Sequence, residues 1–374
     1  MSLPAPPTSS PPPSAGTARS PSGTPAVPWA DAQREEAFSG WLADVSGPHG
    51  LDAASVRLAS ADASFRRYLR VDSASGSRII MDAPPDKEDC GPFVRIAALM
   101  ADAGLNVPRV LAWDAAQGFM LLDDLGHRTM MEVIQPLHPQ ANHALYMQAV
   151  DALIAWQVAS RPGVLPPYDE ALLARELSLF PDWYLAQHRG VVLEGAARKT
   201  LDDAFAKIVA RNLAQPAVYV HRDFMPRNLM IPASAGEQRL GVLDFQDAVY
   251  GPVTYDIASL MRDAFLTWEE DFVLDVTIRY WEKARKAGLP VGDDFGEFYR
   301  GVEWMGLQRH LKVAGIFARL TLRDGKPKYL ADAPRFLNYI RAACDRYREL
   351  GPFLKLIDQI EGTVPATGFA YGRM

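Results

Sequence analysis

The sequence predicts an α+β fold in two lobes: a small mixed β-sheet lobe, then a larger, mainly α-helical one. Two observations carry that expectation. Between residues 56 and 126, short runs rich in β-branched and aromatic residues come in the order three strands, a helix, two strands. From residue 139 onward apolar residues recur at helical spacing, and strand-like runs shrink to two short stretches.

The elements follow in order. Residues 1–28 are dominated by Pro, Ser, Ala, Thr and Gly, with no large side chain to offset backbone ordering, and are expected to be a disordered tail. The first lobe is placed at 29–122 and the second at 123–374. Residues 31–44 read as an amphipathic helix with Phe38, Trp41 and Leu42 on one face. Strands follow at 56–60 and 65–73, joined by a turn at 61–64, and a third at 77–84 is closed by Pro84-Pro85. A helix at 91–103 ends before Gly104, a favoured left-handed cap. VPRVLAWD (107–114) and GFMLLDDLG (118–126) supply two more strands. Helices are expected at 139–160, 169–188, 197–213, 255–265, 269–286, 294–320 and 334–350. Thr267 and Glu270 have capping-box spacing before the fifth of these. The two short strands are AVYV (217–220) and LGVL (240–243).

Composition narrows the function classes. Apolar residues make up 48% and charged residues 22%, the balance of an ordinary globular protein. The net charge of −6 argues against nucleic acid or an anionic membrane as the main ligand. Cys90 and Cys344 have no C-x-x-C spacing, so neither a disulfide framework nor a Cys-based zinc site is expected. No apolar run reaches the roughly 18 residues that span a bilayer, and no secretion-signal pattern is read. A cytoplasmic protein with no obligate protein partner is the expectation.

The chemistry is concentrated where the two short strands end. His221-Arg222-Asp223 follows the first, Asn228 comes five residues after Asp223, and Asp244-Phe245-Gln246 follows the second. Phosphoryl transfer from ATP needs a carboxylate at the acceptor hydroxyl and a few hard oxygen ligands for Mg²⁺. The spacing therefore points to Asp223 as base and to Asn228 and Asp244 as metal ligands. His221 is expected to brace the loop. Asp256, which opens a helix, would cap it or brace the same loop, and Asp247 is a secondary carboxylate.

VHRDFMPRNLM with VLDFQDAVYGPVTYDIASL resembles the aminoglycoside phosphotransferase family, a branch of the protein-kinase-like fold, and the match runs from about residue 55 to the C-terminus. SFRRYLRV, MDAPPDKEDC, LNVPRVLAWD, ELSLFPDWYL, MGLQRHLKVAGIFARL and RDGKPKYLADAPRF are similar to the anomeric amino-sugar kinases of bacterial cell-wall recycling. The resemblance implies an ATP- and Mg²⁺-dependent sugar 1-kinase acting on N-acetylmuramate and N-acetylglucosamine, its product feeding UDP-N-acetylmuramate synthesis. Kinases of aminoglycoside, choline or homoserine acceptors, or a degenerate nucleotide-binding regulator, are the alternatives.

One departure bears on the nucleotide. Where the fold ordinarily places a phosphate-binding Lys on the third strand, the chain has Met81, and ADASFRRYLR replaces a Gly-rich loop. Ser64, Arg66 and Arg67 are the candidates to hold phosphates, with Lys87 nearby. Strand alternation sends the two arginines to opposite faces. The resemblance makes 119–124 the inter-lobe connector, with Leu122 and Asp123 as nucleotide contacts. For the sugar, Glu176, Asp182, Trp183 and Tyr184 combine carboxylates with aromatics. Arg309 and His310, on an otherwise apolar helix, would bind an acidic substituent such as the lactyl carboxylate or pair with structural carboxylates.

Overall fold

The computed structural model of the protein describes residues 27–29, 31–61, 65–232 and 236–363. The expected tail as far as residue 26, and Ser64, lie outside these described residues. Two compact units are present. One is formed by residues up to Val94 together with Arg109–Asp124, the other by Arg95–Pro108 and the chain from Leu125 onward.

The first unit holds α1 (Ala32–His49), β1 (Leu51–Ala61), β2 (Arg67–Ser73) and β3 (Gly76–Asp82). After α2 (Gly91–Asp102) the chain returns to it as β4 (Val110–Asp114) and β5 (Phe119–Asp123). The strands form one sheet in the order β1-β2-β3-β5-β4, antiparallel at every pairing. Its covered face follows from alternation along the strands: Leu69, Val71, Ile80, Phe119 and Leu121 point one way and bury Phe38, Trp41 and Leu42 of α1. Val27 and Trp29 pack on the same cluster, so the packed chain begins within the last two residues of the expected tail.

Met81 is fully buried, opposite Tyr68 and Met120 in the ladder. Beside it Asp82 is also buried, and both of its oxygens are occupied, by Arg34 at 2.6 Å and Arg67 at 2.7 Å. Arg67 also donates to Pro28 O at 2.7 Å and stacks on Trp29. Its guanidinium therefore ties the N-terminal segment to the sheet. Before β5, Gly118 takes φ 70°, and a Cβ there would lie 1.9 Å from Ala83 O. Only glycine fits that approach.

The second unit is mainly helical: α3 (Met130–Val133), α4 (His143–Val158), α5 (Glu170–Leu179), α6 (Gly195–Leu213), α7 (Tyr255–Met261), α8 (Glu270–Lys286), α9 (Phe295–Leu322), α10 (Ala333–Arg346) and α11 (Gly351–Glu361). Between α6 and α7 lie two short antiparallel pairs. β6 (Ala217–Val220) pairs with β9 (Val249–Pro252), and β7 (Leu229–Met230) with β8 (Gly241–Val242). Most side chains of α9 from Phe298 to Ala318 are buried, including Gln308, Arg309, His310 and Lys312. The helix approaches the end of α5 so closely that a Cβ on Gly315 would lie 2.3 Å from Leu179 O.

The chain thus has the α+β class expected of it, a five-stranded sheet followed by a helical unit. Several local expectations are corrected. The helix expected at 169–188 continues past α5 as a π-helical segment, Phe180–His188. α8 begins at Glu270 with Glu269 as its N-cap, and the expected capping box is absent because Glu270 bonds instead with Arg262 and Tyr299. α11 was not anticipated. Among the described residues, no helix is long and apolar enough to cross a membrane.

Candidate active site

β6 leads into the central loop with Val218, Tyr219 and Val220 buried. At its end Arg222 adopts φ 76° and, on the second loop, Asp244 adopts φ 64°; among the described residues these are the non-glycine residues in the left-handed region. Such conformations persist where the surroundings over-determine them. Here they do. The carboxylate of Asp256, in the first turn of α7, accepts the N–H of His221 at 2.7 Å and of Arg222 at 3.0 Å. Arg309 donates to Arg222 O. The Arg222 guanidinium donates to Glu176 at 2.6 Å. Burial pushes Asp256 up to about 7, against the two backbone N–H bonds and the charge of Arg309.

His221 joins the two loops. Its Nδ1 accepts the N–H of Asp223 at 3.3 Å, which leaves the proton on Nε2, 3.0 Å from Leu243 O. Burial lowers its pKa to about 4, so the ring is neutral at pH 7. A neutral, doubly engaged imidazole positions backbone; it is not arranged to shuttle protons.

Asn228 gathers the remaining groups. Its Nδ2 donates to Asp223 O at 2.9 Å and meets Asp244 Oδ2 at 3.3 Å, while its own carbonyl accepts the N–H of Leu243 at 2.9 Å. Gln246 Nε2 donates to Asp244 Oδ1 at 2.9 Å, and Gln246 Oε1 is buried without a partner. Amide and carboxylate oxygens on adjoining loops, with an orphaned acceptor beside them, fit a hard cation that keeps several of its waters. Among the described residues, no group of three or more His, Cys, Asp or Glu side chains offers a denser site.

Behind the loop lies a charged cluster whose partners come from three helices. Glu176 of α5 receives Arg222 and, at 3.0 Å, Lys312 of α9; Tyr168 donates to its other oxygen. Lys312 also reaches Tyr255 OH at 3.4 Å, and Arg309 lies over the Tyr255 ring at 4.9 Å. Burial raises the half-buried Asp223 carboxyl, but Lys312, Arg309 and Arg222 outweigh it and hold the group below the ordinary carboxylate range. Sequence reasoning missed Tyr168, Arg222, Tyr255 and Lys312 as parts of this cluster. A lysine in an apolar helical run was the available signal, since a buried charge needs partners.

The other expected residues are placed as follows. Glu176 and Arg309 meet the loop from behind, as its supports. Tyr184 is buried, stacked on Phe180 and bonded to Glu361 at 3.1 Å. Asp182 is exposed and Trp183 half-buried on the same π-helical segment. Arg309 and His310 both hydrogen-bond backbone carbonyls, His310 Nε2 lying 3.1 Å from Arg262 O, and the charge of Arg309 also acts on the carboxylates of Asp223 and Asp256. In the sheet unit, Arg66 meets Glu88 at 3.5 Å. Leu122 pairs in the ladder with Ile79 and Val110, and the Asp123 N–H donates to Arg109 O. The Asp123 carboxylate takes the Arg109 guanidinium at 2.5 Å.

His310 has a consequence for acid stability. Burial lowers it to about 3, while in the unfolded chain it titrates near the ordinary value of about 6.5. Its contribution is present above pH 6.5 and is lost as pH falls, because the unfolded chain takes up a proton that the folded one refuses. In urea titrations, His310→Gln is expected to shrink the stability lost between pH 7 and pH 5 by on the order of 2 kcal/mol. An unchanged pH dependence would remove His310 from this role.

The model of the phosphotransferase enzyme family matches residues 55–294. A protein of Neisseria meningitidis serogroup B named N-acetylmuramate/N-acetylglucosamine kinase is 48% identical over 342 residues, covering 91% of this chain and 100% of the relative. Its namesake from Pseudomonas aeruginosa is 52% identical over 299 residues, with 80% and 86% covered. Another from Caulobacter vibrioides is 32% identical over 316 residues, with 75% and 85% covered. Among solved structures, a choline/ethanolamine kinase family protein from Mesorhizobium loti superposes with TM-score 0.57 at 16% identity, covering 87% of this chain and 99% of its own. ADP-bound aminoglycoside phosphotransferase APH(2'')-Ib gives 0.52 at 14%, covering 83% and 97%. At those identities the structures share the fold. The chain belongs to the phosphotransferase enzyme family, alongside the N-acetylmuramate/N-acetylglucosamine kinases.

Proposed function

We propose that the protein transfers the γ-phosphoryl group of ATP to the anomeric hydroxyl of N-acetylmuramate and N-acetylglucosamine, in the cytoplasm, as a step of cell-wall recycling. The observation that carries this reading is the near-full-length identity to kinases named for these two sugars, in a chain whose Asp223, Asn228 and Asp244 are hydrogen-bonded into one site.

The chain's own residues account for the step. A bond forms between the sugar hydroxyl oxygen and the γ-phosphorus, the bond to the β,γ-bridging oxygen breaks, and ADP departs. Asp223 orients the hydroxyl and receives its proton. Held in its ionised form by Lys312, Arg309 and Arg222, it is a weak base, which suits a loose transition state in which the proton leaves late. His221 and Asp256 fix the backbone on either side of Arg222 so that Asp223 and Asn228 keep their spacing. Mg²⁺, held by Asn228 and Asp244, would offset charge on the phosphates.

The test is amino-sugar-stimulated ADP release in a coupled assay. Turnover with the two amino sugars, and little with kanamycin or choline, is expected. ATP binding without turnover on any acceptor would instead make the chain a nucleotide-binding regulator.

A further inference from the structure

The two proposed acceptors differ by one anionic group, the carboxylate of the lactyl ether on N-acetylmuramate. A carboxylate approaching Asp223, Asp244 and Asp247 meets like charge, so it needs a cation near the loop. Most cations here are already committed. Arg222 and Lys312 are bonded to Glu176, Arg309 to Arg222 O, and Arg262 to Glu270 at 2.6 Å.

Arg227 is different. It sits on the 3-10 turn Pro226–Asn228, four residues after Asp223 and one before Asn228, and its side chain is exposed. Among the described residues no carboxylate lies within ion-pair distance of it. Its guanidinium stacks over the Phe265 ring, 4.6 Å from the centroid. Stacking holds the guanidinium plane and leaves its N–H edges available for a bidentate partner. Phe265 is itself fixed, because buried Asp263 accepts the N–H groups of Phe265 and Leu266. The second Asp263 oxygen is buried and has no partner.

We propose that Arg227, held over Phe265 within the Asp223–Asn228 loop, binds the carboxylate of the acceptor and so sets the preference for N-acetylmuramate over N-acetylglucosamine. Its exposure explains how one site serves both sugars. A buried cation would be left uncompensated when the carboxylate is missing, whereas an exposed one is hydrated instead. The inference rests on the amino-sugar reading above and adds a residue to it.

The experiment compares kcat/KM for the two sugars in wild type, Arg227→Gln and Arg227→Lys. With Gln, the N-acetylmuramate to N-acetylglucosamine ratio is expected to fall roughly 10- to 50-fold, mostly through KM for N-acetylmuramate. With Lys, a cation without the bidentate fork, part of the ratio should return. A ratio within twofold of wild type in both variants overturns the proposal. So does an equal loss on both sugars with a raised KM for ATP, which would put Arg227 on the nucleotide phosphates. If the wild type turns over neither sugar, it is the amino-sugar reading that fails; an unchanged ratio in an active enzyme sinks the role of Arg227 alone.

Discussion

Asp223→Asn is expected to lower kcat by about a thousandfold or more while leaving ATP affinity near that of the wild type. The substitution is isosteric; it removes the capacity to take the hydroxyl proton together with the negative charge that faces Lys312, Arg309 and Arg222. Its two loop contacts survive, because the N–H given to His221 and the carbonyl given to Asn228 both belong to the backbone. A structural explanation of lost activity is therefore weak for this variant. Coupled ADP release measures turnover, and calorimetric titration with a non-hydrolysable ATP analogue measures binding. Turnover near wild type would remove Asp223 from the base role.

Glu176→Ala is expected to be among the most destabilising single substitutions in the chain, by about 3–5 kcal/mol. Glu176 is 5% exposed and is the shared counter-charge of Arg222 and Lys312. Without it the buried Lys312 and the half-buried Arg222 lose their shared carboxylate, and Arg222 loses the anchor that helps hold its left-handed backbone. Activity should fall along with stability, since that backbone leads directly into Asp223. Urea unfolding is the measurement. A midpoint close to that of wild type would show that the cluster is not what holds the loop.

Much of the candidate site was legible in the sequence because its parts are local. Asp223 and Asn228 lie within six residues on one loop, and Asp244 follows the next apolar run. What was not legible is what holds them. Glu176 reaches the loop from α5, Arg309 and Lys312 from α9, and Asp256 from α7; no spacing rule links positions so far apart. The failed capping box has the same cause, since Glu270 bonds across the fold to Tyr299 and Arg262. Helix α11 did carry a signal, with Phe353, Leu356 and Ile357 on one face and Gly362 in the left-handed conformation after its end. Arg67 shows the limit of a local rule: strand alternation carries no sign that the buried Asp82 would engage its guanidinium.

The central claim is phosphoryl transfer to the anomeric oxygen of an amino sugar, and the product tests it most directly. Phosphorus NMR of the reaction with ATP, Mg²⁺ and N-acetylglucosamine should show a sugar 1-phosphate, its phosphorus coupled to the anomeric proton, growing as ATP is consumed. A 6-phosphate signal, or ATP loss to inorganic phosphate with no sugar phosphate, would contradict it.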